Sequence, residues 1–178
     1  MTKTAITQYD VGLFEPVRRL EEPLEFSGLI RSSPYHEREH LLDVQKLDPR
    51  YGAISLALQS FQPNHGKSDY AFIEYLEAFN IHNIVDQYRK YVKVLGISDP
   101  RLDLYVIAFR SILHEEVQES EEKRSQLAII DKESHKEANI SGGLLKYWYG
   151  TPDDIHAQDL ATCWWVNQAD AKRGGGGT

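Results

Sequence analysis

The chain has 178 residues, 41% of them apolar, enough to bury one sizeable core, and its formal net charge of -7 opposes a polyanionic partner, because nucleic-acid binding relies on a concentrated basic stripe. A single cysteine, Cys163, excludes an intramolecular disulfide, and the lack of an N-terminal signal pattern or a long apolar run argues against secretion and membrane insertion. The expectation is a soluble protein in a reducing, cytoplasmic setting, with no internal repeat and one low-complexity stretch, Gly174 to Gly177.

Residues Met1 to Arg19 mix polar residues with short apolar groups such as Val11, Leu13 and Phe14, a pattern that supports only a loosely held arm. From Leu24 to Arg31, Leu24, Phe26 and Gly28 alternate with Glu25 and Ser27, which predicts a short edge strand ending at Ser32-Ser33-Pro34. Tyr35 to Lys46 starts charged and turns apolar at Leu41, Leu42 and Val44, fitting a short helix or a packed loop. Within it, His36-Glu37-Arg38-Glu39-His40 spells H-E-x-x-H, the zinc-protease signature in which two histidines one helical turn apart bind the metal and the glutamate is the base. Against a zinc hydrolase built on His36, Glu37 and His40 stand the charged Arg38 and Glu39 at the central positions, Pro34 just upstream, and no third ligand at a recognisable spacing. The segment reads as a solvated, charged helix start with no metal, and the zinc hydrolase remains the remote alternative.

Helical signals then dominate. Asp48-Pro49 is an N-cap with proline at the first helical position, and Tyr51, Ile54, Leu58 and Phe61 recur at helical spacing until Pro63. After a turn over Gln62 to Lys67, Ser68 caps a second predicted helix bearing Phe72, Ile73, Leu76 and Phe79. A third places Ile81, Ile84, Val85, Tyr88, Val92 and Leu95 on one stripe, closed by Gly96. These stripes read as core rather than as a cofactor site, and His65 and His82 fall off them as surface residues. Ser98-Asp99-Pro100-Arg101 marks a boundary, so residues 1–100 form a mostly helical region and 101–178 a second, α+β region of one compact unit.

Past that boundary the period changes. Leu104 to Leu113 is β-branched and aromatic-rich on both faces, which predicts a central strand, with Arg110 as the charged exception, either an ion-pair partner at the strand end or the holder of an anionic ligand. A helix follows from about Glu115 to Asn139, acidic at its start and basic near its end, with a thin stripe of Leu127, Ile130, Ser134 and Ala138. Ser141-Gly142-Gly143 stops it and leads into the strand Leu144 to Tyr149, where Leu145, Tyr147 and Tyr149 share one face and Leu144, Lys146 and Trp148 the other. Leu160 to Val166 returns antiparallel, and Asn167 caps a short last helix. Strand, helix, strand, strand, helix is a ferredoxin-like βαββα order without a closing fourth strand, so a sheet edge is left that Leu24 to Arg31 or a second subunit could cover.

Ala108-Phe109-Arg110-Ser111, Asp131-x-x-x-His135-x-Glu137-Ala138, Ser141 to Gly150, Leu160-Ala161-Thr162-Cys163-Trp164 and Ala169-Asp170-Ala171 with its glycines occur in a fixed order. In that combination the chain resembles an uncharacterised fungal protein family, and its second half is similar to the EthD-like branch of dimeric α+β barrels. That resemblance implies ferredoxin-like sheets pairing as a homodimer and a pocket between sheet and helices. Relatives of that branch use it for cofactor-free oxygenation, cyclisation, dehydration or decarboxylation of aromatic or polyketide-like compounds.

The candidate chemistry sits on that half. Asp131 and His135 are four apart and share a helix face, so the carboxylate could orient the imidazole as a catalytic dyad, with Tyr147, Tyr149, Trp165 and Arg110 lining the substrate side. The plainer account is a histidine at a helix C-terminus, a surface ion partner, and rings that fill a core. Cys163 reads as a buried inert thiol, and Asp153, Asp154 and His156 as solvated loop charge rather than a cation site. No nucleotide loop, metal cage or nucleophile elbow is visible, which disfavours hydrolases, kinases and dehydrogenases. Two functions follow: a small cofactor-independent lyase, cyclase or oxygenase acting on an aromatic or polyketide-like molecule, or a non-catalytic small-molecule-binding or interaction module.

Overall fold

A computed structural model of the chain describes residues 28–64, 69–153 and 156–175. The expected arm of Met1 to Arg19, the start of the first strand at Leu24 to Ser27, His65, the Ser68 cap, Asp154 and the last glycines lie outside the described residues.

The described chain opens with a small hairpin in which β1 (Leu29–Arg31) pairs antiparallel with β2 (Leu41–Asp43), Ile30 opposite Leu42. Between them Arg38–His40 forms a single 3-10 turn rather than the start of an α-helix. Helix α1 (Pro49–Ala57) begins as its sequence dictates, with the Asp48 carboxylate accepting from the Arg50 amide at 3.0 Å and proline in the first turn. It tightens into a 3-10 turn and releases the chain at Phe61.

The second helix is shorter than its apolar spacing predicts: α2 (Tyr75–Ala78) is one turn, with Phe72 and Ile73 in irregular chain before it. The reason is a competing acceptor use, since Arg110 takes the carbonyls of Ala71 and Ile73, at 2.9 and 2.7 Å, that a helix would use for itself. Helix α3 (Ile81–Leu95) ends at Gly96 with φ 66°, in the left-handed region. Its packed face is Ile81, Ile84, Tyr88 and Tyr91, while Val85 and Leu95 of the expected stripe are exposed. His82 is exposed, as expected.

The second half runs β3 (Tyr105–Ile112), α4 (Glu115–Gln118), α5 (Glu121–Ser141), β4 (Leu144–Tyr149), β5 (Gln158–Trp165) and α6 (Gln168–Gly174). The single helix expected from Glu115 breaks at Ser120, whose hydroxyl accepts from the Lys123 amide and caps α5 ahead of Glu121 and Glu122. The sheet order is β3-β5-β4, and both outer strands run antiparallel to β5. β3 and β4 are therefore parallel to one another, with α4 and α5 crossing between them and β5 inserted.

This order corrects the reading of β3 as a central strand. Among the described residues no strand flanks its outer side, and Val106 and Ile112 are exposed on one face. The hairpin does not cover that edge either. It lies at the opposite edge, where the Ser32 carbonyl accepts from the Tyr147 amide of β4 at 2.8 Å.

Helices flank the sheet on both sides. One face carries Leu145, Trp148, Leu160 and Trp164 against Leu58, Phe61, Phe79 and Ile84, with the Phe61 and Phe79 rings stacked 4.7 Å apart. The other face carries Leu144, Tyr147, Tyr149 and Trp165 beneath Ala138 of α5 and Ala171 of α6. The two faces follow from the two-residue period of β4, apart from one register shift between Leu144 and Lys146 that lets Leu145 join the first core.

Candidate functional site: a histidine pair and a tyrosine-bound carboxylate

The α5 face over the sheet is not the predicted apolar stripe. Ile130 is 61% exposed, whereas Asp131 is half-buried and His135 and Ala138 are buried. A helix turns polar residues inward only when partners satisfy them, and here partners come from two directions. Strand β4 supplies Tyr147, whose hydroxyl donates to Asp131 Oδ1 at 2.6 Å. The segment after β1 supplies Tyr35, whose hydroxyl donates to Asp131 Oδ2, and His40, whose Nδ1 lies 2.8 Å from His135 Nδ1.

That segment is laid along α5 by three anchors. Its carbonyls at Glu39 and Leu41 accept from the Asn139 side-chain amide at 2.8 and 3.1 Å, and Glu37 pairs with Lys132. The Ser33 hydroxyl accepts from the Tyr35 amide at 3.2 Å and shapes the entry. The rings of Tyr35, His40, His135, Tyr147 and Tyr149 then follow one another with centroids 4.9 to 5.7 Å apart.

Electrostatics sets the protonation of this group. Burial, and then the neighbouring His40, hold the His135 imidazole far below its usual range, at about 3. Burial also lowers His40. Burial and the Asp131 carboxylate push the Tyr147 phenol well above its usual value, so it remains a donor. Near neutral pH the site is two uncharged imidazoles beside a carboxylate held by two hydroxyls. His135 Nε2 is buried and has no hydrogen-bond partner among the described residues.

The predicted residues divide accordingly. Asp131, His135, Tyr147 and Tyr149 come together beneath α5. The direct Asp131–His135 dyad does not form: the tyrosines take the carboxylate oxygens and His40 takes Nδ1. Trp165 belongs to the same apolar cluster but sits at its α6 end, opposite Leu144 and Tyr105. Arg110 lies in the alternate register of β3 and holds the Ala71 and Ile73 carbonyls. Cys163 is half-buried rather than buried. Asp153 uses its carboxylate on the amides of His156 and Gln158, both at 2.8 Å.

Sequence reasoning missed Tyr35 and assigned His40 to solvent. The H-E-x-x-H spacing does mark a buried histidine, but for another reason: with a 3-10 turn at Arg38–His40, His36 and His40 do not share a helix face. His36 instead accepts from Arg31 Nη1 at 2.7 Å. No group of three or more histidine, cysteine, aspartate or glutamate side chains among the described residues is placed to hold a metal ion. Nor is any described helix long and apolar enough to cross a membrane.

Residues 31–178 match the family described as PB2B2.08-like, which includes every residue of this site. The chain is 48% identical over 177 residues to UPF0643 protein PB2B2.08 of Schizosaccharomyces pombe, an alignment covering 98% of this chain and 80% of that protein. No solved structure matches it.

Proposed function

The chain belongs to the PB2B2.08-like family, and for it we propose a small cofactor-independent enzyme of lyase, cyclase or oxygenase type acting on an aromatic or polyketide-like molecule. One observation carries this reading: His135 Nε2 is a buried, unsatisfied ring nitrogen on an imidazole held in place through its other nitrogen. A ligand hydroxyl or acidic C–H brought to Nε2 would complete the hydrogen bonding, and the pair with His40 can take up one proton. An enolate formed beside the imidazolium would supply the compensating charge that burial withholds. Tyr149 would flank the ring of the guest, while Asp131 with its two hydroxyls positions the wall.

The finer architecture belongs to the same proposal. The β3-β5-β4 order with an inserted antiparallel strand supports a ferredoxin-like arrangement with three of its strands among the described residues. The outer edge of β3 supports homodimerisation in the manner of the EthD-like barrels, and the lone cysteine supports a cytoplasmic site of action.

A second reading, a binding or interaction module without chemistry, is favoured by the unbroken row of rings from Tyr35 to Tyr149. Native mass spectrometry of protein isolated from its own cells separates the two. A co-purifying small organic molecule that is lost in His135→Phe supports the enzyme. A ligand-free wild-type protein whose His135 nitrogen resonances ignore a panel of aromatic ketones and phenols sinks it.

A further inference from the structure

Lys146 lies within β4 with 4% of its surface exposed, and no described residue offers its ammonium a hydrogen bond or an ion pair. The strand period turns it away from the Tyr147 side and sets it opposite Trp164, on the face of the first core. The hydrogen bond from the Tyr147 amide to the Ser32 carbonyl ties the two chains together one residue past each of two cations, Lys146 and Arg31. Arg31 is half-buried, and its Nη1 donates to a ring nitrogen of His36, not to a carboxylate. A buried ammonium is ordinarily paired, because stripping its hydration without replacement is costly. Here its charged neighbour is another cation.

We propose that Lys146 and Arg31 form a binding site for one oxyanion, the carboxylate or phosphate group of a small molecule, at the β4 edge and on the sheet face opposite His135. The guanidinium fork suits two oxygens of such a group, and the ammonium serves as the buried point charge. The electrostatics agrees: burial, and then Arg31, lower the Lys146 amine to about 8, so an anion held between the two cations would raise it. This site is independent of the histidine pair and stands or falls separately.

The test is a pH titration of lysine Cε resonances in carbon-13-labelled full-length protein, in chloride alone, with inorganic phosphate, and with acetate. The Lys146 midpoint is expected near 8 in chloride and to rise by about one unit or more, a tenfold shift, in the presence of the preferred anion. Whether phosphate or acetate produces the larger rise identifies the group. Arg31→Gln keeps the circular dichroism spectrum and loses the rise. Lys146→Met raises the melting temperature in chloride and removes any further increase on adding phosphate or acetate. A Lys146 midpoint that neither anion moves, or a rise that survives in Arg31→Gln, overturns the site.

Discussion

The Nδ1 atoms of His40 and His135 lie 2.8 Å apart although 95 positions separate the residues in the chain. One nitrogen must donate and the other accept, so the rings carry opposite tautomers. The pair can take one added proton, since His⁺ still donates to a neutral ring, but a second would set two N–H groups against each other. The two imidazoles therefore titrate as a unit.

Burial of His135, and then the neighbouring His40, make stability fall in acid. In the unfolded chain His135 takes up a proton near 6.5, whereas in the fold it does so only near 3. Its contribution is fully present above 6.5 and is lost as the pH falls towards 3, at about 1.4 kcal/mol per pH unit in the steep part. Urea unfolding at pH 7 and pH 5 should show a drop in the wild type that is smaller in His135→Phe by about 1–2 kcal/mol. At pH 7, His40→Ala should cost about 1–3 kcal/mol, because it leaves His135 Nδ1 buried and unpaired.

Asp131 organises two hydroxyls, so removing it should cost more than removing either one. Tyr147→Phe deletes one bond to a carboxylate and should cost about 1.5–3 kcal/mol, whereas Asp131→Ala leaves both Tyr35 and Tyr147 without this acceptor. Denaturant midpoints for Asp131→Ala, Tyr147→Phe and Tyr35→Phe check the order. A Tyr147→Phe loss equal to that of Asp131→Ala would show that Tyr35 adds nothing.

The turn from α5 into β4 separates backbone strain from steric crowding. Gly142 and Gly143 have φ of 84° and 83°, but a Cβ at Gly142 meets open space while one at Gly143 would come within 2.5 Å of the Asp170 side chain. Gly142→Ala should cost about 1 kcal/mol from conformation alone, and Gly143→Ala about 2–3 kcal/mol. Thermal melts of the two variants side by side decide it.

Arg110 should matter to a loop rather than to a ligand. Arg110→Ala frees the Ile73 carbonyl and leaves that of Ala71 only the longer bond from the Gln158 side chain, at 3.3 Å, so amide exchange in residues 69–76 should quicken roughly tenfold, the scale of one lost hydrogen bond. The His135 resonances should not move. A shift there would return Arg110 to the site.

What the sequence determined by itself was local. Strands expected over 104–113, 144–149 and 160–166 formed over 105–112, 144–149 and 158–165, and the Asp48-Pro49 start and the Gly96 and Ser141-Gly142-Gly143 stops placed helix ends to within a few residues, because each depends on neighbours in the chain. Even Asp131 and His135 could be put on one helix face from their spacing of four. Which atoms they touch could not be read that way. The tertiary structure placed β3 at the edge of the sheet among the described residues, cut α2 short through Arg110, and turned His40 from a residue expected in solvent into the partner of His135. Each of these outcomes was settled by a hydrogen bond between groups far apart in sequence, and a one-dimensional pattern carries no record of which distant donor arrives first at a given acceptor.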